Sequence, residues 1–430
     1  VKGKLILFLI IILFSFLISG CTPKDTTPPQ VSITSPQNGQ TVSGIVTIQT
    51  LAIDNVGVLK VEFYIDENKI GEDTESPYSY DWDTTQYTNG THKITAKAYD
   101  KAGNVGVSPV INVTIGNQVI TFADTNLEKA VRDALGIPVG QPITKEKMQE
   151  LLSLDAHEKS IYNLYGLEYA INLQELNLYF NKISDISPLA NLTKLKYLDL
   201  NANQVSDIKP LANLSNLYLL YFSYNQISDI SPLANLTNLE LLEVDGNRIN
   251  DIKPLSNLAN LKFLYLDHNQ INDIKPLIKL NKLKYLYLSY NKISDITTLA
   301  NLTYLLSLGL DHNQISNISP LANLTNLQLL CLDYNQINDI KPLANLINLR
   351  FLCLDHNQIS DIKPLANLTN LKYLDLSYNY VTDISPLVYN PGLGEGDEIH
   401  LEGNPLNLSE GSINMLYIQI LQNRGVKVYY

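Results

Sequence analysis

Between about Leu173 and Asn404 one 22-residue phrase recurs with little variation, and a chain built from near-identical short units can fold in only a few ways. Ten asparagines mark the beat: Asn181, Asn203, Asn225, Asn247, Asn269, Asn291, Asn313, Asn335, Asn357 and Asn379. Each stands in the frame L-x-x-L-x-L-x-x-N-x-I/V, as in Leu195, Leu198, Leu200, Asn203 and Val205. Constant spacing over that many units means stacked coils that share a core.

The physics of the unit explains the repetition. Leu198 and Leu200 point inward from a short strand, and a lone strand and turn cannot bury them; the next unit supplies the missing wall. The asparagine stands where the chain leaves the strand. Its amide can satisfy backbone groups of the neighbouring coil that would otherwise be buried unpaired, so the ten asparagines are expected to form a structural ladder. In the second half of the unit, Ser206-Asp207-Ile208-Lys209-Pro210-Leu211-Ala212-Asn213-Leu214, a proline sits where a short helical turn can start, ahead of apolar residues three apart. That predicts a 3₁₀ or α turn on the convex side. The pattern resembles the leucine-rich repeat, which implies a curved solenoid with a parallel β-sheet on its concave face.

Totals bound the rest. At 430 residues, 45% hydrophobic and 17% charged, the chain has room for two or three domains. A net charge of -12 argues against nucleic acid or an anionic membrane surface as the main partner. Three cysteines, Cys21, Cys331 and Cys353, are too few for a disulfide framework and lack zinc-ligand spacing.

Residues 1–21 speak to location. Lys2 and Lys4 open the chain, Leu5 to Leu17 is apolar except for Ser15, and Ile18-Ser19-Gly20-Cys21 follows. The apolar run falls short of the ~20 residues a spanning helix needs. The stretch resembles a bacterial lipoprotein signal whose lipobox ends in a lipidated cysteine. The resemblance implies lipidation at Cys21 and an extracytoplasmic protein anchored to the cell membrane or outer membrane, facing the exterior; an ordinary signal peptide or anchor helix is the alternative. Residues 22–30 read as a polar, proline-rich tether.

Residues 31–116 have strand periodicity. Leu59, Val61, Phe63 and Ile65 alternate with Lys60, Glu62, Tyr64 and Asp66, and Ile94, Ala96 and Ala98 alternate with Lys93, Thr95, Lys97 and Tyr99. Turn signals at Asn38-Gly39, Asn89-Gly90 and Ala102-Gly103-Asn104 space the runs as in a β-sandwich. Pro29-Gln30-Val31-Ser32-Ile33, Trp82 and Asp100-Lys101-Ala102-Gly103-Asn104 resemble bacterial Ig-like domains. Trp82 is expected in the core, with sugar stacking as the sharper alternative.

Residues 117–170 turn helical. Leu127, Ala130, Val131, Ala134 and Leu135 share a helix face with Asp124 or Thr125 as N-cap and Gly136 at the end; Thr144 can cap a second helix burying Met148, Leu151 and Leu152. Leu154 and Ile161 then open a degenerate first repeat, with Lys159 at the asparagine position. A solenoid needs atypical ends, so this stretch reads as an N-terminal cap. Phe122-Ala123-Asp124-Thr125-Asn126-Leu127, Gly166-Leu167-Glu168-Tyr169-Ala170-Ile171-Asn172-Leu173 and the repeated Ile-Ser-Asp-Ile-Ser-Pro-Leu-Ala-Asn-Leu resemble the internalin family of bacterial surface proteins over about residues 120–430. Here the Ig-like segment precedes the repeats, and a lipobox is expected to serve for the family's LPXTG sorting signal. At the far end Ser412 can start a helix burying Ile413, Leu416, Ile420 and Leu421, before a final strand from Val426 to Tyr430.

The expected architecture is therefore multidomain: signal peptide 1–21, tether 22–30, all-β Ig-like sandwich 31–116, helical cap and degenerate repeat 117–170, leucine-rich-repeat solenoid 171–404 and C-terminal cap 405–430. Function must come from faces that stacking leaves free. Residues between the buried leucines form columns about 4.8 Å apart. One reads Tyr197, Leu219, Leu241, Phe263, Tyr285, Ser307, Leu329, Phe351, Tyr373; the next reads Asp199, Tyr221, Glu243, Tyr265, Tyr287, Gly309, Cys331, Cys353, Asp375. An acidic column (Asp245, Asp267, Asp311, Asp333, Asp355) and a Tyr/His column (Tyr224, His268, Tyr290, His312, Tyr334, His356, Tyr378) flank them. Tyr-rich surfaces mark protein interfaces, so Tyr197, Tyr221, Phe263, Tyr265, Tyr285, Tyr287, Tyr290, Phe351 and Tyr373 are the expected contacts for a protein partner.

No cofactor, metal or catalytic residue is expected. His268, His312 and His356 recur in every second repeat, about 9.6 Å apart, too far to share one zinc ion. Calcium on the stacked aspartates is the weaker alternative. The sequence contains no G-x-S-x-G, P-loop or H-E-x-x-H element. The reading is a monomeric, lipid-anchored surface protein, not an enzyme and not a nucleic-acid binder; carbohydrate binding or a purely structural envelope role are the rivals.

Overall fold

The computed structural model describes residues 24–430. Cys21 and the apolar run before it lie outside the described residues. The described chain divides into two compact units, one running to Val119 and including Thr144–Lys147, the other comprising Ile120–Ile143 and Met148–Tyr430.

The first unit is a sandwich of two sheets. β1 (Gln30–Ser35), β3 (Ile45–Ile53) and β6 (Ser79–Asp83) form one antiparallel sheet. The other orders β2 (Thr41–Val42), β9 (Ile111–Ile115), β7 (Gly90–Asp100), β4 (Val58–Ile65) and β5 (Asn68–Asp73), with β8 (Val105–Val107) on β7. Alternation buries Val61, Phe63, Ile65, Ile94, Ala96 and Ala98 against Val31, Ile48 and Trp82 from the facing sheet. Trp82 is a core residue packed edge-on to Tyr87, which removes sugar stacking as its role. Leu59 departs from the expected pattern: the register shifts between Val58 and Lys60, and the bulge turns Leu59 outward.

The second unit is a solenoid. Thirteen parallel strands, from Ser153–Asp155 to Lys427–Tyr429, form one sheet in sequence order. Register advances by one unit at every step, so Leu198 pairs with Leu220, Leu242 with Leu264 and Leu286 with Leu308. These leucines, with the isoleucine or valine two residues after each asparagine and the leucines of the turns, make one continuous core. Opposite the strands run short 3₁₀ turns such as Lys253–Asn257, with proline in the first turn. An aspartate two residues earlier starts most of these turns, with Asn317 in its place ahead of Ser319: Asp207, Asp251 and Asp361 accept hydrogen bonds from the amides of Lys209, Lys253 and Lys363.

The helix Thr125–Leu135 covers the first coil. Asp124 caps it by accepting from the amides of Asn126 and Leu127 through one oxygen, and its other oxygen takes the Tyr162 amide. Leu127, Ala130 and Val131 are buried and Leu135 packs against the core, but Ala134 faces out. The second helix, Lys145–Met148, is one turn long, so Met148 and Leu151 are buried while Leu152 is exposed. At the other end the helix Ile413–Asn423 presents Asn414, Ile418 and Leu421 inward, leaving Ile413 and Leu416 exposed. Asn414 sets that face, because its amide donates to Thr382 O (3.0 Å) and turns the two apolar residues beside it outward.

Candidate functional site: the strand face

At each strand exit the asparagine serves two coils at once. Asn269 Nδ2 donates to Val244 O of the preceding repeat (3.0 Å) and to Leu266 O of its own (3.2 Å), while Oδ1 accepts from the Ile249 amide (3.0 Å). The same bonds recur at Asn203, Asn225, Asn313 and Asn357. Asn181 reaches back to the degenerate repeat, accepting from the Lys159 and Ile161 amides. Asn404 extends the series beyond Asn379, donating to Leu376 O and accepting from Val381. With the backbone pinned on both sides, the outward residues of each strand stand at fixed spacing.

Those residues pair across the sheet. Phe263 and Tyr285 stack with centroids 5.0 Å apart, and Tyr265 lies parallel to Tyr287 at 5.2 Å. Tyr197 leans on Tyr221 at 5.6 Å, and Phe351 on Tyr373 at 6.5 Å. Between the central and distal groups the repeat Ser307–Gly309 carries almost no side chain. A Cβ on Gly309 would sit 2.8 Å from Tyr287 Cδ1, so glycine is required there if the ring is to lie flat. The Tyr287 hydroxyl shares a hydrogen bond with Ser307 Oγ (2.7 Å). Loss of bulk at this one repeat opens a depression of about 280 Å³, with Tyr285 and Tyr287 on one side and Arg350 and Phe351 on the other. Cys331 and Cys353 lie one and two repeats further along the same column as free thiols.

Tyr290 stands apart from the other eight expected contact residues. It lies one residue before the ladder asparagine, where His268, Tyr290, His312, Tyr334, His356 and Tyr378 all take a left-handed backbone with φ of 49–55°. Their rings form an unbroken stack with centroids 4.0–4.3 Å apart. A left-handed non-glycine residue costs roughly 1–2 kcal/mol, and ring contact on both faces offsets that strain. Where the equivalent residue is Gly246 or Gly403, the ring of Tyr224 or Tyr378 from the preceding repeat lies against it.

The acidic column is built into the fold. Asp245 Oδ1 accepts from the Asp267 amide (2.7 Å), Asp267 Oδ1 from Ser289 (2.6 Å), Asp311 Oδ1 from Asp333 (3.0 Å) and Asp333 Oδ1 from Asp355 (2.7 Å). Asn201 and Ser223 do the same work in the earlier repeats. Burial, reinforced by the neighbouring carboxylate, pushes Asp245 and Asp333 up to about 7; burial first, then Asp311, pushes Asp267 up to about 6. Sequence periodicity showed the column but not this bond, since an amide of the next repeat lies 22 residues away.

A leucine-rich-repeat model matches residues 171–213, 215–257, 259–301 and 347–389, and a bacterial Ig-domain model matches residues 29–96. The crystal structure of an internalin (InlF) from Listeria monocytogenes is 34% identical, covers 72% of this chain and 95% of its own, and superposes with a TM-score of 0.62. The chain belongs to the internalin family. Internalin C2 from the same species is 37% identical over 54% of this chain and 94% of its own, with a TM-score of 0.42. A TDR receptor shares the fold at 23% identity, over 61% of this chain and 53% of its own, with a TM-score of 0.51. Among curated proteins none matches. No helix among the described residues is long and apolar enough to cross a membrane.

For this internalin the raised carboxyls have a measurable consequence. An unfolded aspartate titrates near 3.9, so Asp245, Asp267 and Asp333 hold their protons more tightly in the folded chain. The folded state then binds more protons than the unfolded state between about pH 4 and pH 7, and stability falls as pH rises through that window. The repeats are expected to melt at a higher temperature near pH 5 than near pH 8. Asp245→Asn with Asp333→Asn keeps an acceptor for the next amide, as Asn201 already does, and is expected to flatten the slope and raise the melting temperature near pH 8. An unchanged slope in a calorimetric pH series would refute the assignment.

Proposed function

We propose that this internalin is a lipid-anchored cell-surface receptor or adhesin that takes a protein partner on the strand, or concave, face of its repeats. The observation that carries this reading is the depression over Ser307–Gly309, walled by the half-exposed rings of Tyr285, Tyr287 and Phe351 beside Arg350. A buried anchor side chain ringed by aromatic residues is how protein interfaces concentrate affinity. The stacking bears on the rival ligand. A sugar packs on the open face of a ring, and Phe263 already takes one face of Tyr285 and Tyr265 one face of Tyr287 at 5.0–5.2 Å, which reduces the ring area open to it. Edges and hydroxyls suit peptide groups and side chains better than a pyranose ring.

The test is a surface-protein pull-down with the full chain, run beside a glycan array. Capture of a defined protein that Tyr265→Ala and Tyr287→Ala release supports the reading. Glycan binding without protein capture would favour the carbohydrate receptor, and silence in both the structural envelope role. The anchor is tested separately: Cys21→Ser is expected to abolish incorporation of radiolabelled palmitate and to release the protein from membranes, and unchanged labelling would remove Cys21 as the lipid site.

A further inference from the structure

Three acidic residues from distant parts of the chain meet at one end of the Ig-like sandwich. Asp25 lies in the segment ahead of β1, Asp54 directly follows β3, and Asp100 ends β7; one carboxylate oxygen from each lies within 4.8 Å of the other two. Asp100 is only 2% exposed. Around the cluster, protein donors take one oxygen of Asp25, one of Asp54 and both of Asp100. Asp25 Oδ1 accepts from the Thr27 amide (3.0 Å) and Asn55 Nδ2 (3.3 Å), and Asp54 Oδ2 from the amides of Val56 (2.8 Å) and Gly57 (2.9 Å). Asn104 holds Asp100 through its amide and its side chain (2.8 and 2.7 Å), and also donates to Asp25 O (3.0 Å).

Two oxygens are left over. Asp25 Oδ2 and Asp54 Oδ1 are both shut off from solvent and accept no hydrogen bond. Among the described residues no lysine, arginine or histidine forms an ion pair with Asp25, Asp54 or Asp100. Converging carboxylates with stranded, desolvated oxygens and no cationic side chain are unfavourable unless something positive joins them. A water molecule can donate two protons but leaves the charge uncompensated.

We propose that Asp25, Asp54 and Asp100 bind one calcium ion, which fastens the segment after the lipidation cysteine to the Ig-like domain. The oxygen-only donor set selects a hard cation. Calcium takes oxygens at 2.3–2.6 Å, so two ligands across one ion are at most about 5 Å apart, a limit that every pair in this cluster meets. Magnesium holds its ligands at 2.0–2.1 Å in a strict octahedron and keeps most of its waters, which a site built from shielded carboxylates suits poorly. The consequence is mechanical. Asp25 lies four residues beyond Cys21, so a filled site shortens the free leash between the membrane anchor and the first domain to a few residues.

The experiment is a titration of the EDTA-treated full chain with calcium chloride by calorimetry, alongside thermal melts with and without calcium. One calcium per chain is expected, in the ~10⁻⁴ M range or tighter typical of extracellular modules. Asp25→Asn lies outside the sandwich strands and leaves them free to fold; it is expected to weaken calcium binding at least tenfold, as is Asp54→Asn. The two variants are expected to melt higher than wild type in EDTA, because charge repulsion is relieved, and lower than wild type in calcium. No calcium uptake by wild type, unchanged affinity in both variants, or shifts of the same sign in the two buffers would each overturn the proposal. Asp245→Asn with Asp333→Asn is expected to leave the calcium isotherm unchanged; loss of binding there would place the ion on the repeats and equally overturn it.

Discussion

Asn269→Ala is expected to lower the unfolding free energy of the repeats by about 3 kcal/mol, since each buried backbone group left unpaired costs roughly 1–3 kcal/mol. The change strands the Ile249 amide, which loses its acceptor in the core of the neighbouring coil, and takes from Val244 O one of its two asparagine donors, leaving Asn247 Nδ2 (3.1 Å). Water cannot replace the amide, because Asn269 is buried and the groups it serves lie beneath it. Asn269→Asp is expected to fail as well, since a carboxylate can accept from Ile249 but would face Val244 O with no proton to donate. The matched control is Asn260→Ala on the convex side, where the side chain donates to Thr237 O (2.9 Å) at an exposed position. There solvent takes over, and the loss should stay below about 1 kcal/mol. Urea denaturation of the two variants, with equal m-values, gives the comparison. Equal losses would mean that the strand-exit asparagines are not what holds adjacent coils together.

The second large effect is on binding. Tyr265→Ala and Tyr287→Ala are each expected to cost on the order of 2 kcal/mol of affinity for the partner, the hot-spot threshold, or about thirtyfold in Kd. Together they should weaken binding by roughly a thousandfold, unless their mutual stacking makes the second loss smaller than the first. The physical basis is position. Tyr287 lines the Ser307–Gly309 depression and Tyr265 stacks behind it, so truncation removes apolar wall area, the ring that backs it and, at Tyr287, the hydroxyl that meets Ser307. Stability should change little, because these side chains project from the strand face while the core is made by Leu264, Leu266, Leu286 and Leu288 beneath. The readout therefore pairs an affinity measurement on a captured partner with a thermal melt. Wild-type affinity in the double variant would move the site away from the central strand face, toward the turns or the Ig-like domain.

Much of this protein is legible one unit at a time. The 22-residue step, the inward leucines and the asparagine at each strand exit follow from the need to bury short apolar strands and pair their backbone groups. The same periodicity assigns Tyr265, Tyr287 and their neighbours to the strand face, and period-2 alternation orients the strands of the Ig-like sandwich. Tertiary structure decided what depends on atoms far apart in the chain. The stacking of histidine on tyrosine along the strand exits requires a left-handed backbone at six successive repeats, which no single repeat reveals. The aspartate column became part of the framework only once the carboxylates of Asp245, Asp267, Asp311 and Asp333 were found against the next repeat's amide, and burial there, not local sequence, raised the affinity of Asp245 for protons. Ser307 and Gly309 became a depression only because bulky repeats flank them on both sides. Helix faces at the two ends diverged from simple periodicity for a related reason: a one-turn helix could not carry Leu152 inward, and Asn414 found a carbonyl 32 residues back. Asp25, Asp54 and Asp100 show the limit most plainly. Each is an ordinary loop aspartate in the sequence, and only the closing of the two sheets brings residues up to 75 positions apart (100 − 25) to one point.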